Sequence, residues 1–217
     1  PATGEVKGST ATAYEGSHFA RWTNTEGGTV GTSPEFKPVK IGGLHVSATY
    51  VATFAENTYT VAFDANGGVG EPMADQSLTY GAGPVRLSKN TYTRPGYTFA
   101  GWALDGHSTT PDYADNSFVA DLTENDDATV VLHAVWLEGD MVVIGYGSAD
   151  DSMGSVSPTS ETLAPASGEA TGSTATPAPG HAFVSWIDTA ESVVSEEATF
   201  VPSKVEGLNV AATHTAT

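Results

Sequence analysis

Apolar and polar positions alternate with a period of two in short runs along the chain. Leu44, Val46, Ala48 and Tyr50 form one run, Val130, Leu132, Ala134 and Trp136 a second, and Leu208, Val210 and Ala212 a third. Successive strand residues point to opposite faces, so each run predicts a strand with one buried side. Tyr59, Val61 and Phe63 alternate likewise and lead into Asn66-Gly67-Gly68, where Asn and Gly supply the positive φ angles of a tight hairpin turn. Residues 141–146, followed by Gly154, Val156 and Pro158, occupy the matching place further along.

Ahead of each closing run stands the same spacing, Gly-x-x-Phe-x-x-Trp: Gly16, Phe19 and Trp22; Gly96, Phe99 and Trp102; Gly180, Phe183 and Trp186. Each module is predicted as strand, turn, strand, signature strand, variable loop, closing strand. Phe and Trp three apart lie on opposite faces of a regular strand, so a bulge or bend between them is expected if both enter one core. The glycine permits an irregular backbone or a close approach at the strand entry. A lone aromatic pair could instead stack on a sugar. Recurrence at the centre of every module favours core packing, and these nine residues with Trp136 form the expected structural core.

The outer copies are closer to each other than spacing alone requires. Residues 1–53 align on 165–217 without a gap, with 24 of 53 positions identical. A repeat of this length makes each copy a folding unit. The expected modules are 1–56, 57–138 and 139–217, each of roughly 55–80 residues. Units this small bury only about 60% of their chain surface, and each buried Trp removes about 150–250 Å² from water. The connections at 55–58 and 137–140 are short, which predicts closely seated neighbours and an elongated, semi-rigid array. Nothing ahead of the first copy matches residues 141–164 of the third. The expected reason is that the sequence is an excerpt of a longer protein; the alternative is a strand supplied by another chain through strand addition.

Charge narrows the range of partners. The 217 residues carry a net charge of −18, with 5 acidic against 4 basic residues in 1–57, 10 against 3 in 58–137 and 11 against 1 in 138–217. Such a surface repels phosphate backbones and anionic lipids, so neither nucleic acid nor direct membrane insertion is expected. No stretch is long and apolar enough to span a membrane, and residues 1–12 do not read as a signal peptide. Any export signal or anchor is expected outside this sequence. Cysteine is absent, which removes disulfides and thiolate metal sites.

Candidate chemistry is sparse. Residues 64–68 and 124–127 carry oxygen ligands suited to calcium, but neither has the spacing of a dedicated calcium loop, and Asp and Asn bonding to their own turns accounts for them. The six histidines never pair at ligand spacing. No serine sits in a nucleophile elbow, and no Gly-rich stretch opens a helix. No catalytic residue, cofactor or metal is expected. Glu5 with Glu169, Asn24 with Asp188 and Lys40 with Lys204 supply in both outer copies the residue types of a Lys to Asn/Asp isopeptide crosslink, although ordinary surface pairing is the expected explanation.

Three separated blocks carry a family resemblance. Residues 59–68 (YTVAFDANGG), 93–102 (TRPGYTFAGW) and 132–136 (LHAVW) together resemble the Listeria-Bacteroides repeat, also called the internalin B-type repeat. The outer copies resemble its divergent form, keeping Gly-x-x-Phe-x-x-Trp but replacing Arg-Pro-Gly-Tyr by Tyr14-Glu15-Gly16 and Ala178-Pro179-Gly180. The resemblance implies a mainly β, α+β β-grasp-like module of about four strands. It implies tandem occurrence on secreted and cell-wall-attached bacterial proteins, as stalk or adhesion segments, with no enzymatic activity and no transferable site residues. Three roles follow as expectations: a mechanical spacer between neighbouring repeats, a module that binds glycan or host protein through variable loops such as residues 105–115, and an accessory region of a large secreted enzyme.

Overall fold

The computed structural model describes residues 2–217, and among them there are strands and turns but no helix. The fold is mainly β, and the crossovers that join parallel strands consist of loops and short strands. The chain divides into two compact units. One comprises the chain up to Asn66 with Gly70–Thr91 and Gly101–Val135; the other comprises Gly67–Val69, Tyr92–Ala100 and Trp136–Thr217.

In the first unit, the strand Ser17–Asn24 lies between Thr29–Gly31 and Tyr50–Glu56 in an antiparallel sheet. A second sheet has the order Gln76–Thr79, Thr58–Asp64, Ala128–Glu138, Tyr97–Ala103, the last two strands continuing into the other unit. Ala128–Glu138 runs parallel to Thr58–Asp64, with Ala128 opposite Tyr59 and Leu132 opposite Phe63. Alternation places Tyr59, Val61 and Phe63 on one buried face, where Phe63 meets Trp102 at 4.9 Å between ring centroids.

The second unit repeats this plan with different lengths. Its five-stranded sheet has the order Ser160–Leu163, Val142–Ser148, Ala212–Ala216, Trp186–Ile187, Val193–Ser195. Ala212–Ala216 again runs parallel to Val142–Ser148. A three-stranded sheet of Gly154–Ser157, Ser173–Pro177 and Thr199–Phe200 accompanies it. Ile144, Tyr146, Ala175, Trp186 and Ala216 form the core, with Val156, Leu163, Phe183 and Phe200 packed against it.

Two expectations about strand placement fail for local reasons. The run from Leu44 to Tyr50 is not the closing strand of the first copy, which is Tyr50–Glu56, and in the third copy the strand is Ala212–Ala216. Leu44 instead ends a two-residue hairpin, exchanging both backbone hydrogen bonds with Ile41 around Gly42 and Gly43, whose φ angles are 59° and 79°. Val205 and Leu208 do the same around Glu206 and Gly207. Positive φ at both central residues is the geometry that favours such hairpins. Asn66 and Gly67 also have positive φ, yet they close no tight hairpin: Thr58–Asp64 pairs with Gln76–Thr79 across the longer segment 65–75. The Asn66 side chain is committed elsewhere, donating to the carbonyls of Gly106 and Ala134 at 2.9 Å each. In the third copy, likewise, Gly154–Ser157 pairs with Ser173–Pro177, and the partner of Val142–Ser148 is Ser160–Leu163.

The first and third copies match contact by contact. Trp22 Nε1 donates to Pro34 O and Trp186 Nε1 to Ala198 O, both at 3.1 Å. Lys40 Nζ donates to Ala2 O at 2.7 Å, and Lys204 Nζ to Ala166 O at 2.9 Å. His45 meets Gly4 O where Asn209 donates to Gly168 O. Trp22 stands opposite Ala52, and Trp186 opposite Ala216. Divergent side chains thus reproduce one set of backbone pins. A difference remains at the sheet edge: Ala212–Ala216 is flanked on both sides, whereas Tyr50–Glu56 is an edge strand among the described residues.

Candidate functional site

The signature glycines sit in one kind of turn. Ser17 N–H donates to Tyr14 O, Tyr97 N–H to Arg94 O and His181 N–H to Ala178 O, at 3.0–3.1 Å. The φ angles of Gly16, Gly96 and Gly180 are 70°, 77° and 89°. Glycine third in a four-residue turn, with Pro95 and Pro179 second, is the sequence pattern of a type II turn, whose third residue needs positive φ. The turn delivers the chain into the signature strand.

The expected irregularity between Phe and Trp takes two forms. In the first copy Phe19 faces Phe54 and Arg21 faces Thr53, so Ala20 is the extra residue of a bulge. In the second copy Gly101 adopts φ 146°, with the Tyr113 carbonyl and Pro111 where a Cβ would stand. The third copy repeats the first: Val184 N–H donates to Thr217 O and Thr217 N–H to Ser185 O, both at 2.8 Å, so Val184 and Ser185 together face Thr217 ahead of Trp186. Phe19 packs on Trp22 and Phe183 on Trp186, with ring centroids 6.0 and 6.3 Å apart, whereas Phe99 meets Trp136 at 5.4 Å. Trp22, Trp102 and Trp186 are 6%, 0% and 0% exposed, while Phe19, Phe99, Phe183 and Trp136 are half-buried. Gly16 is buried, Gly96 is half-buried and Gly180 is exposed.

The turn glycine is also where the following copy is seated. In the first unit, Asn57 N–H donates to Gly16 O at 2.8 Å, and Asn57 O accepts Tyr80 N–H at 2.9 Å. The Asn57 side chain donates to Glu124 O and accepts from His18 Nδ1 at 2.8 Å, satisfying this buried residue at every polar group. His18 Nδ1 also lies 3.1 Å from the Asp126 carboxylate. The Tyr80 ring covers Gly16: a Cβ there would stand 1.9 Å from Cδ1. Tyr80 OH donates to the Glu15 carboxylate at 2.8 Å, and this charge holds the phenol above its ordinary pKa.

In the second unit the same arrangement recurs with other side chains. Gly139 N–H donates to Gly96 O at 2.8 Å, and a Cβ on Gly96 would meet Leu208 Cδ2 at 2.7 Å and Ala166 Cβ at 3.0 Å. The Glu138 carboxylate accepts Ser167 N–H, Ser167 Oγ–H and Ala166 N–H at 2.7–2.8 Å. Those bonds, led by the Ser167 backbone, hold its pKa below the usual range. Asn57 and Gly139 each stand three residues after an aromatic that packs on the signature Phe, Phe54 on Phe19 and Trp136 on Phe99. Aromatic, donor and bare glycine together make one seat.

The polar sets singled out from the sequence have structural partners. Asp64 is bonded first to His133 Nδ1 at 2.7 Å and then to Asn66 N–H, which lowers its pKa. Asp126 accepts Thr58 N–H. Among the described residues no three His, Cys, Asp or Glu side chains gather as a metal site. The crosslink set does not assemble as such a reaction needs. Lys204 Nζ pairs with Glu169 at 2.8 Å, but Asp188 accepts Ala190 and Ser192 N–H in a turn, as Asn24 accepts Glu26 and Gly28 N–H. The sequence does not reveal these seats because their partners lie far apart along the chain; only the repeated Gly and, in the second copy, Trp136 signal them.

These features define a class: small β repeats in tandem, with the carbonyls of Gly16 and Gly96 accepting a backbone hydrogen bond from a residue about forty positions further along the chain. Residues 59–130 match the Listeria-Bacteroides repeat domain, and residues 148–217 match the divergent InlB B-repeat domain. The chain is therefore a tandem repeat protein carrying both kinds of B-repeat, families typical of bacterial surface proteins and typically non-catalytic structural modules. No curated protein and no solved structure matches the chain.

Proposed function

We infer that the chain is a non-enzymatic stalk or spacer segment of a secreted or cell-wall-attached bacterial protein, built of three modules at 1–56, 57–138 and 139–217. The observation that carries this reading is the recurrent seat, in which residue 57 or 139 donates to the carbonyl of Gly16 or Gly96 at the same 2.8 Å. A connection bonded back onto the preceding copy within three residues of its last aromatic has little freedom to swing, which suits a part that transmits position. Energy transfer between dyes placed on either side of a seat tests this. A narrow distance distribution that broadens in Gly96→Val is expected; a broad one in the unaltered chain removes the reading.

One observation favours a second property. Tyr50–Glu56 is a sheet edge whose Val51 and Phe54 are 48% and 44% exposed, and such edges recruit strands. Self-association through that edge is the corresponding proposal; a strict monomer at high concentration by light scattering rejects it. Recognition of glycan or host protein through residues 105–115 is tested by deleting that loop and measuring adhesion, which a pure spacer retains.

A further inference from the structure

A cavity of about 310 Å³ opens in the third copy between the five-stranded sheet and the segment 201–210. Ile144, Phe200 and Ala212 form its walls, and the exposed side chains of Val194, Val205 and Val210 stand around it. Small-molecule sites run from about 300 to 1,000 Å³ and combine an apolar lining with a few placed polar groups. The volume suits a compact guest of about one ring.

The placed polar group is His214. Its buried imidazole stacks on Tyr146 and stands edge-on to Phe200, 4.8 Å away between ring centroids. Nδ1 is screened from solvent and has no hydrogen-bond partner among the described residues. Buried polar atoms are normally bonded, because leaving one unsatisfied costs its full desolvation. The other copies carry no ring nitrogen in this place. Leu132 stands opposite Phe63 as His214 stands opposite Tyr146, and Tyr50 meets Phe36 at 4.9 Å as His214 meets Phe200. An imidazole is shorter than a phenol, so His214 gives up bulk as well as the hydroxyl that Tyr50 carries.

The rest of the lining selects the guest. The Asn209 amide is committed to the Ala164 and Gly168 carbonyls at 2.9 and 2.8 Å. A buried water makes about three hydrogen bonds, and His214 is the only described lining side chain with a buried polar atom to complete. No carboxylate lines the cavity to balance a cation. An anion is repelled by a stretch, 138–217, with 11 acidic residues against 1 basic. Burial holds His214 below its ordinary pKa, and a neutral imidazole donates at one nitrogen and accepts at the other. A hydroxyl both donates and accepts, so it satisfies either tautomer.

We propose that the third copy binds a small uncharged molecule made of one apolar ring and one hydroxyl, the ring lying against Ile144 and Phe200 and the hydroxyl bonding His214 Nδ1. Every lining residue belongs to the second unit, so the site is independent of any joint between copies.

The test titrates the full chain near neutral pH with p-cresol and with toluene, the same ring without the hydroxyl. p-Cresol is expected to shift the His214 ring nitrogens and the Val194 and Val210 methyls together and saturably, with nuclear Overhauser contacts to Phe200. Toluene is expected to occupy the same place about fivefold more weakly, the factor that one neutral hydrogen bond supplies. His214→Leu, giving the residue found at Leu132, is expected to abolish that preference while toluene still binds, and Ala212→Leu to fill the cavity and abolish binding of both. No saturable shift up to the solubility of p-cresol overturns the proposal, as do contacts confined to other residues or equal affinity for the two probes. A preference for p-cresol that survives in folded His214→Leu overturns it as well, as does unaltered binding in folded Ala212→Leu. The comparison of the two probes uses the unaltered chain, so it decides the matter even if neither variant folds.

Discussion

Each signature Trp owes its burial to the irregularity ahead of it. Trp102 is 0% exposed and meets Phe63 across the sheet, so Trp102→Ala leaves a cavity and is expected to cost about 3–5 kcal/mol, read as a lower urea midpoint. A midpoint within error of the parent would mean the ring supports nothing. His214 is a buried titratable group, 8% exposed and packed on Tyr146 and Phe200. Burial holds its imidazole below the ordinary value of 6.5, the Asp188 carboxylate opposing. The unfolded chain therefore binds a proton near pH 6.5 while the folded chain does not. Stability is full above that pH and declines as pH falls through it. His214→Tyr, giving the residue found at Tyr50, is expected to flatten denaturation midpoints between pH 7.5 and 5.5; an unchanged slope would place the effect elsewhere. The bulge was legible from Phe and Trp standing on opposite faces, whereas the environment of His214 was not, because Tyr50 in the matching place conceals that a titratable group is buried there.

Among the elements, the turn glycines separate two costs that are usually mixed. Alanine at a left-handed φ costs roughly 1–2 kcal/mol wherever it occurs. At Gly180 that is the whole cost, since the space is open, whereas at Gly16 the Tyr80 ring must also move and at Gly96 the Leu208 side chain must. Crowding of this kind adds about 1–3 kcal/mol. The expected order of destabilisation in thermal unfolding is therefore Gly16→Ala and Gly96→Ala well above Gly180→Ala, and equal effects at all three sites would contradict the seats. Strand identity was readable where alternation met its sheet partner, as in Ala128–Glu138. It was misread at Leu44, where alternating residues serve a Gly42-Gly43 hairpin and stand half-exposed. Period-two patterning reports which side chains share a face, and a hairpin arm satisfies it without belonging to the main sheet.

For the whole molecule, the joint at Asn57 is the most informative place to intervene. Asn57→Ala removes the side-chain bonds to His18, which retains Asp126, and to the Glu124 carbonyl, at about 0.5–1.5 kcal/mol each. Residues 17–24 and 58–64 are expected to lose exchange protection together, and loss in only one of those strands would show that the amide serves one module rather than the joint. The order of the copies was legible from Gly-x-x-Phe-x-x-Trp, but their mode of attachment was not, because Asn57 and Gly139 do the same work with their backbones and share no side chain. One feature of the sheets bears on the proposed role. The first and last strands of the second copy, like those of the third, are parallel neighbours. A pull applied to the two ends of such a copy slides one strand lengthwise along the other, so its cross-strand rungs resist at once instead of opening in sequence like a zipper. Copies arranged this way are expected to unfold at a higher force than antiparallel pairs of the same size pulled open at one end.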